Sequence, residues 1–361
     1  MSLELIAISM FFVLAVFLFL GHPLAFILGG VGLLYGIIFL GPNFIGLFME
    51  RILGQLNNFV LVAVPLFILM GNFLTVSGIA EGLFKSMRFL FGPVRGGLGI
   101  AVIVVSILFA ACTGIVGASV VTMAMLSGPI LLRYGYSKEL TMGLMAAGGT
   151  LGILIPPSVM LIIMGDQAGQ SVGKLLLGAF IPGVTLGVLY VIYIAIICYV
   201  NPKLGPAVPA EELAQVPVKE RITGAMIHAF PPLLLILTVL GSIFTGIATP
   251  TEASGVGTFL AFLMMIAYGK FSWKRFTEVM IQTGKTTTMV MMIIIGATCF
   301  TVVFIGLGGG DTLINALVNL QVSKWIIYTI MMAIILLFGC FIDWIGIVVS
   351  RANRVVRFCN T

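Results

Sequence analysis

Charged residues are scarce in this chain. Only 8% of its 361 residues are charged, whereas 60% are hydrophobic, and the mean hydropathy is +1.23. This balance excludes a soluble globular domain and predicts an all-α polytopic membrane protein. At about 20 apolar residues per span, the length allows about ten crossings. The formal net charge of +6 comes from Lys and Arg between the apolar runs, so it reports membrane topology rather than nucleic-acid binding.

Residue sets that perform catalysis or hold a transition metal are also missing. His22 and His228 are far apart, and Gly284-Lys285-Thr286 lacks the earlier glycine of a phosphate-binding loop, because Val279 stands there. With no catalytic constellation, we expect neither an enzyme nor a cofactor. No CxxC pair occurs among the five cysteines, which argues against a disulfide framework or a zinc site: Cys112, Cys198, Cys299, Cys340 and Cys359.

The apolar runs predict a series of membrane spans. No cleavage site follows the first run, so we expect it to be an uncleaved span. The basic stretch Ser77–Gly97 predicts an amphipathic connector on the cytoplasmic face, and Lys270–Lys285 predicts a second polar connector. The predicted spans are Leu3–Leu20, Leu24–Leu40, Phe59–Leu74, Leu175–Val200, Phe230–Thr245, Ala253–Tyr268, Thr286–Leu307 and a run from Lys324 onward.

A polar linker at residues 201–221 divides the chain into two predicted halves. The first half covers residues 1–200, an incomplete second half covers 222–349, and a polar tail covers 350–361. Pro23 and Gly30 have the same spacing as Pro250 and Gly257, which suggests a repeat. Transporters often build their site at such a repeat interface. We therefore expect an inverted-repeat architecture.

The apolar run from Leu140 to Gly165 is interrupted at its centre. Pro156 and Pro157 donate no backbone N–H, and each ring clashes with the preceding turn, so we predict a broken helix. Such a break survives at membrane depth only inside protein or beside a polar cavity. Secondary transporters use discontinuous helices to bind ions and substrates. The alternative is a proline kink without a functional role.

A second irregular feature lies in the long apolar run 98–132. Small and hydroxylated residues occupy its centre, at 110–119, where they allow the backbone to turn. We interpret the run as a helical hairpin that enters and leaves the same side of the membrane, or as two short spans.

Hydroxyl groups cluster near glycines at both irregular features. Hydroxyl and bare carbonyl oxygens are the hard ligands that a small cation such as Na⁺ needs, and the helix ends created by the prolines add free carbonyls and a dipole. The alternative is close helix packing by small residues. Because two clusters occur in one half, we favour the site, with these hydroxyl residues: Thr113, Ser119, Thr150 and Ser158.

Acidic residues beside apolar runs are further candidates. Glu252 follows Pro250 at the start of a span, where a helix-capping role and a functional role are equally plausible. Asp343 is embedded in an apolar run and is a functional candidate by default. Asp166 and Asp311 lie at run ends and are weaker candidates.

The ordered motifs of the chain resemble a known transporter family. The stretch 148–158 (GGTLGILIPPS), followed by 171–175 (SVGKL) and 181–183 (IPG), is similar to the DctM-type large membrane subunit of tripartite ATP-independent periplasmic (TRAP) transporters. The stretches 249–253 (TPTEA) and 339–343 (GCFID) also match its pattern. The resemblance implies an elevator-type permease in the bacterial inner membrane. It would import organic anions, such as C4-dicarboxylates or sialic acid, with a Na⁺ gradient.

The resemblance also implies partners and site residues. The partners are a small membrane subunit and a periplasmic substrate-binding protein. Thr150 and Ser158, chosen for their hydroxyl groups, are the candidate substrate contacts. The family often has Ser-Gly-Ser where this chain has Thr113-Gly114-Ile115, so one hydroxyl is absent. The implied Na⁺ ligands, largely backbone carbonyls, are Thr113 at the tip and Gly152, Ile155 and Pro157 at the break. Gly114, Gly117 and Ser119 are further candidate ligands near the tip.

The chain departs from the family pattern after Asp343. The family continues through a second hairpin and a second proline–proline break, where this sequence has the polar tail 350–361. The departure suggests a truncated member. A second hypothesis is therefore a non-transporting remnant that only assembles with partner subunits.

Overall fold

Helices make up all the regular structure that the computed structural model describes, which covers residues 3–114, 116–214, 216–309 and 324–339. This confirms the all-α fold. A π-helical turn (Gly36–Leu40) follows α2, and a 3-10 turn (Phe59–Val62) precedes α4. In chain order, α1 to α15 are Leu3–Phe19, Leu24–Tyr35, Phe44–Leu56, Ala63–Ser77, Ile79–Phe91, Gly97–Thr113, Val116–Arg133, Lys138–Leu154, Val159–Ala168, Val172–Val200, Ala210–Ala214, Val218–Phe244, Pro250–Ala267, Trp273–Gly306 and Lys324–Gly339.

Several of these helices are long and apolar enough to cross a bilayer, which needs about 20 residues. The bent pair α8 and α9 also qualifies if it is counted as one span. A polytopic membrane protein is therefore confirmed. The five single segments are Phe59–Ser77, Val172–Val200, Val218–Phe244, Pro250–Ala267 and Trp273–Gly306.

Some elements differ from the sequence-based prediction. Most of the polar stretch Lys270–Lys285 is helical and continuous with the next apolar run, because α14 is one helix of 34 residues that begins at Trp273. The backbone N–H of Arg275 donates to the Ser272 hydroxyl at 3.2 Å, which starts the helix before the apolar run is reached. The amphipathic helix α3 was not predicted, and α12 begins at Val218, inside the predicted linker.

The described residues form two compact units. Unit 1 takes in the residues up to Leu61, the short segment Asp166–Gly169 and the residues from Lys285 onward. Within unit 1, α2 and the second part of α14 pack closely, since a Cβ on Gly296 would lie 2.5 Å from the Ala25 carbonyl oxygen.

Unit 2 comprises Val62–Gly165 and Gln170–Gly284. It contains the hairpin helices α6 and α7 and the broken helix, which pack together: α8 contacts both hairpin helices. Helix α4 packs against α13, and the Thr258 hydroxyl donates to the Leu66 carbonyl at 2.8 Å. The core of unit 2 therefore surrounds both features that the sequence marks as irregular.

The polar linker lies against two interhelical loops of unit 2. The Gly96 N–H donates to the Gly205 carbonyl at 2.9 Å, and the Ser137 N–H donates to the Leu204 carbonyl at 3.1 Å. The Val208 N–H also donates to the Gly92 carbonyl at 3.0 Å. We call this meeting of residues 92–96, 134–138 and 201–208 the loop junction.

A side-chain hydrogen bond adds to the loop junction. The Tyr134 hydroxyl donates to the Glu212 carboxylate in the linker. Partial burial, together with this hydrogen bond, raises the pKa of Tyr134 above its ordinary value. The linker is thus a bound segment and not a free tether.

Candidate functional site

The hairpin tip is built from the end of α6 and the start of α7. Helix α6 ends at Thr113 and α7 begins at Val116, so the turn between them is two residues long. Gly114 in this turn has a φ of +61°, a left-handed conformation that glycine adopts without steric cost. The sequence therefore ends one helix and starts the next within the apolar interior of unit 2.

The second element is the break between α8 and α9. The two helices are bent by 42° across residues 155–158. Ile155 leaves the helical conformation (φ −85°, ψ 122°), as expected for a residue that precedes proline. Because Pro156 has no N–H, it cannot donate to the carbonyl of Gly152, four residues earlier. The predicted broken helix is confirmed, and a functional role for it stays a prediction.

The hairpin tip lies directly against the break. A Cβ on Gly114 would lie 3.1 Å from the Pro157 carbonyl oxygen and 3.4 Å from the Val159 nitrogen. The two irregular features therefore lie side by side, although Gly114 and Pro157 are 43 residues apart in sequence (157 − 114). A side chain at Gly114 would have to push the Pro157 carbonyl away by a few tenths of an ångström.

Buried oxygen atoms concentrate at this contact. The hydroxyls of Thr113 and Ser119 lie 2.7 Å apart, and both side chains are buried. Ser158 is fully buried, and its hydroxyl donates to the Ile153 carbonyl at 2.6 Å across the break. This hydrogen bond satisfies one carbonyl that Pro157 leaves without a helical donor.

Helix ends give the site its electrostatic character. Helices α6 and α8 end here, so the negative ends of two helix dipoles and their terminal carbonyls meet. Such a set, together with buried hydroxyls, suits a small hard cation. Helices α7 and α9 begin here, and their N-termini favour an anionic group. The backbone dipoles of these helix ends can therefore stabilise a cation at the C-termini and an anionic group at the N-termini.

The predicted site residues divide into two groups. Gly152, Ile155 and Pro157 are buried at the break, as Thr113, Gly114 and Ser119 are at the tip. Gly117 and Thr150 are exposed on their helices, and the Thr150 hydroxyl donates to the Ala147 carbonyl at 2.8 Å within α8. The structure thus brings six predicted ion ligands and Ser158 together, and leaves Gly117 and Thr150 on outer helix faces.

The acidic candidates lie elsewhere. Glu252 forms a capping box with Thr249: its carboxylate accepts from the Thr249 N–H at 2.8 Å, and its own N–H donates to the Thr249 hydroxyl at 3.3 Å. This supports the capping role. Asp166 accepts hydrogen bonds from the side chains of Asn58 and Gln167 in unit 1. Asp311 and Asp343 lie outside the described residues.

Glycines that support the site were missed or only partly understood from sequence. A Cβ on Gly71 of α4 would lie 2.8 Å from the Thr113 Cα, and one on Gly183 of α10 would lie 3.0 Å from the Ile155 side chain. Gly149 approaches Val120 of α7 with similar closeness. Close packing is thus the role of these glycines. A glycine inside an apolar run indicates that another helix can pack closely there. It does not indicate which helix that is.

Comparisons with known proteins agree with the motifs. The family model described as "Tripartite ATP-independent periplasmic transporter, DctM component" matches residues 11–352. The chain is 31% identical over 317 residues to the C4-dicarboxylate TRAP transporter large permease protein DctM of Pseudomonas aeruginosa, covering 88% of this chain and 72% of that protein.

Relatives with other named substrates match at similar levels. The sialic acid TRAP transporter large permease protein SiaM of Vibrio cholerae is 31% identical, over 78% of this chain and 64% of its own length. The isethionate TRAP transporter permease protein DctMQ of Oleidesulfovibrio alaskensis is 27% identical, over 93% of this chain and 52% of its own length. The names of these three relatives therefore give three different substrates.

Proposed function

Because this chain belongs to the DctM family of TRAP transporter large permease subunits, a multi-pass inner-membrane family of permeases and not of enzymes, we propose that it carries an organic anion inward, driven by a Na⁺ gradient. The observation that carries the proposal is the contact between the hairpin tip and the break. Two helix C-termini and the Thr113–Ser119 hydroxyl pair converge there.

Na⁺ binding is supported by the chemistry of this contact. A Na⁺ ion needs oxygen ligands, and the site offers hydroxyls and carbonyls that a proline break has freed from helical donors. In the described part of the chain, no three His, Cys, Asp or Glu side chains come together, so a site for a transition metal has no ligand set there. Thr113, Ser119 and the carbonyls of Gly152, Ile155 and Pro157 are the proposed ligands, with the Gly114 backbone beside them.

The site supports an anionic substrate as well. The N-termini of α7 and α9 begin at the same place, and helix N-termini bind carboxylates through free N–H groups. A bound Na⁺ next to them would strengthen the attraction. We propose that the hairpin and the broken helix move as one body, because α8 packs against both hairpin helices.

The proposed partners are a small membrane subunit and a periplasmic binding protein. The substrate is an organic anion of the type that the relatives' names give: a C4-dicarboxylate, sialic acid or isethionate. Which of these it is depends on the binding protein, which is a separate chain.

Uptake by the full chain with its partner subunits in membrane vesicles tests the function. Radiolabelled succinate, sialic acid and isethionate would be supplied in turn, each with its binding protein, under an inward gradient of Na⁺ or of K⁺. We expect uptake of one of these anions with Na⁺ and none with K⁺. Equal uptake with K⁺ would refute the coupling, and no uptake of any organic anion would refute the permease function.

A further inference from the structure

An apolar groove lies in unit 2 between α8 and α10. Its volume is about 740 Å³, within the ~300–1,000 Å³ of ligand pockets. Apolar side chains from α6, α8 and α10 line its body: Ile103, Leu140, Leu144, Ala147, Leu189 and Ile197. The groove does not include the hairpin tip or the break, so it is separate from the proposed ion site.

The groove opens onto an exposed face of α10, a helix long and apolar enough to cross a bilayer. Leu189 and Tyr193 on its α10 side are 54% and 57% exposed, and α10 is one of the segments that can span a bilayer. Tyrosines such as Tyr190 and Tyr193 are enriched near membrane surfaces. An occupant of this groove would therefore come from the hydrocarbon phase.

One end of the groove reaches the loop junction. Ser137 and Leu204, which are hydrogen bonded to each other, line this end together with Glu139. The end is therefore at the polar margin of the span, where α8 begins.

Three exposed cations are sequence neighbours of residues at this end. Lys138 follows Ser137, Lys203 precedes Leu204, and Arg95 precedes Gly96, whose N–H is bonded to Gly205. Against them stand two carboxylates: Glu139 in the lining, and Glu212, which accepts the Tyr134 hydrogen bond at the loop junction. The loop junction thus places a net positive charge at the mouth of an apolar groove.

We propose that the groove binds one anionic phospholipid, with an acyl chain along α8 and α10 and its phosphate near Arg95, Lys138 and Lys203. The apolar body matches an acyl chain, and the cationic mouth matches an acidic headgroup. Basic residues on loops also predict a cytoplasmic location, where anionic lipids attract them. The bound lipid stabilises the contact between α8 and α10. This proposal does not depend on transport or on Na⁺.

Gly143 gives a direct way to fill the groove. It lines the groove, and a Cβ there would meet no atom within 4 Å. Gly143→Phe would place a ring in the groove without a backbone clash. Gly178→Phe is the matched control, because Gly178 lies on α10 outside the groove lining and its Cβ position is also open.

Thermal unfolding of the purified full chain in detergent tests the headgroup. Phosphatidylglycerol and phosphatidylcholine with identical acyl chains would be added separately. We expect phosphatidylglycerol to raise the unfolding midpoint by several degrees more than phosphatidylcholine does. The triple variant R95Q/K138Q/K203Q loses this difference, whereas the control K85Q/K219Q/K274Q, with the same charge change on exposed residues, retains it.

Mass spectrometry of lipid that copurifies with the protein tests the groove. We expect Gly143→Phe to lose the retained anionic lipid and Gly178→Phe to keep it. Equal protection by the two lipids, or retention of the lipid by Gly143→Phe, would overturn the proposal. If succinate alone gave the charge-dependent rise in midpoint, the site would be one for a soluble organic anion, and the lipid proposal would be wrong.

Discussion

Replacing Gly114 by alanine should separate the hairpin tip from the break. Gly114 has a φ of +61°, and a Cβ there would lie 3.1 Å from the Pro157 carbonyl oxygen. The substitution adds one methyl group and removes no hydrogen-bonding atom. Any loss of ion binding would therefore report the geometry of the contact.

The structure sets the size of the effect. An L-residue in the left-handed conformation costs about 1–2 kcal/mol. The carbonyl of Pro157 is fixed in the chain and has to move by a few tenths of an ångström, which adds to that cost. The tip and the break share an ion in the Na⁺-bound state, so the strain should destabilise that state more than the ion-free state. Because 1.4 kcal/mol corresponds to a tenfold change in affinity, the Na⁺ affinity should fall by about 5- to 30-fold.

Na⁺-dependent thermal protection of the purified chain measures this change. Gly117→Ala is the matched control, because Gly117 is exposed at the start of α7 and its Cβ position is open. The control should leave the Na⁺ midpoint unchanged and slightly stabilise the helix. An unchanged Na⁺ midpoint in Gly114→Ala would refute the idea that the tip–break contact forms the ion site.

Three further changes follow from the same geometry. Gly71→Ala should lower the free energy of unfolding by about 1–3 kcal/mol by overpacking against the Thr113 backbone, as thermal unfolding would report. Ser158→Ala should cost about 1 kcal/mol in the same assay, because a buried carbonyl loses its donor. Tyr134→Phe should remove part of the loss of stability that sets in as the pH rises above the ordinary tyrosine pKa of about 10. The raised pKa of Tyr134, set by burial and the Glu212 hydrogen bond, stabilises the fold below the ordinary tyrosine pKa, and this contribution is lost as the pH rises.

Each of these changes has a control within the chain. Gly143→Ala adds the same methyl group at an open position of α8 and should not destabilise. Ser242→Ala removes a hydroxyl that donates to the Val239 carbonyl at 2.9 Å, away from the break. Tyr199→Phe alters a tyrosine that is 77% exposed. Equal effects of a change and its control would contradict the role assigned to the site or the loop junction.

The broken helix could be predicted from sequence, but the presence of two adjacent prolines was not sufficient to predict it. Pro231 and Pro232 also stand together in an apolar run, and there α12 continues from Val218 to Phe244. Each proline destabilises a helix interior by about 3 kcal/mol. The helix continues only where its packing against neighbouring helices offsets that cost. At Pro156 the glycines before the pair and the buried serine after it favour the break.

The contact between the hairpin tip and the break could not be predicted in detail. The sequence marked Thr113 and Pro157 separately, as polar or irregular positions in apolar runs. It did not show that Gly71 and Gly183 support them from two other helices, because a close approach depends on which helices are neighbours. Thr150 lies on an exposed face of α8, so its role as a substrate contact stays a prediction.

The linker was the other incomplete prediction. Its prolines and mixed charges indicated a polar connection between halves, which agrees with its exposed position. Its backbone hydrogen bonds to the loops before α6 and α8 are contacts between residues more than 60 positions apart. No local pattern encodes such pairings.

Direct measurement of cation binding by the purified full chain tests the central claim, which is that the hairpin tip and the break together bind Na⁺. Wild-type protein and the variant Thr113→Val would be titrated with NaCl or KCl at constant ionic strength while the unfolding midpoint is followed. We expect Na⁺ but not K⁺ to stabilise the wild type, and Thr113→Val to weaken the response at least several-fold. Equal stabilisation by both cations, or a Na⁺ response that Thr113→Val leaves unchanged, would contradict this claim.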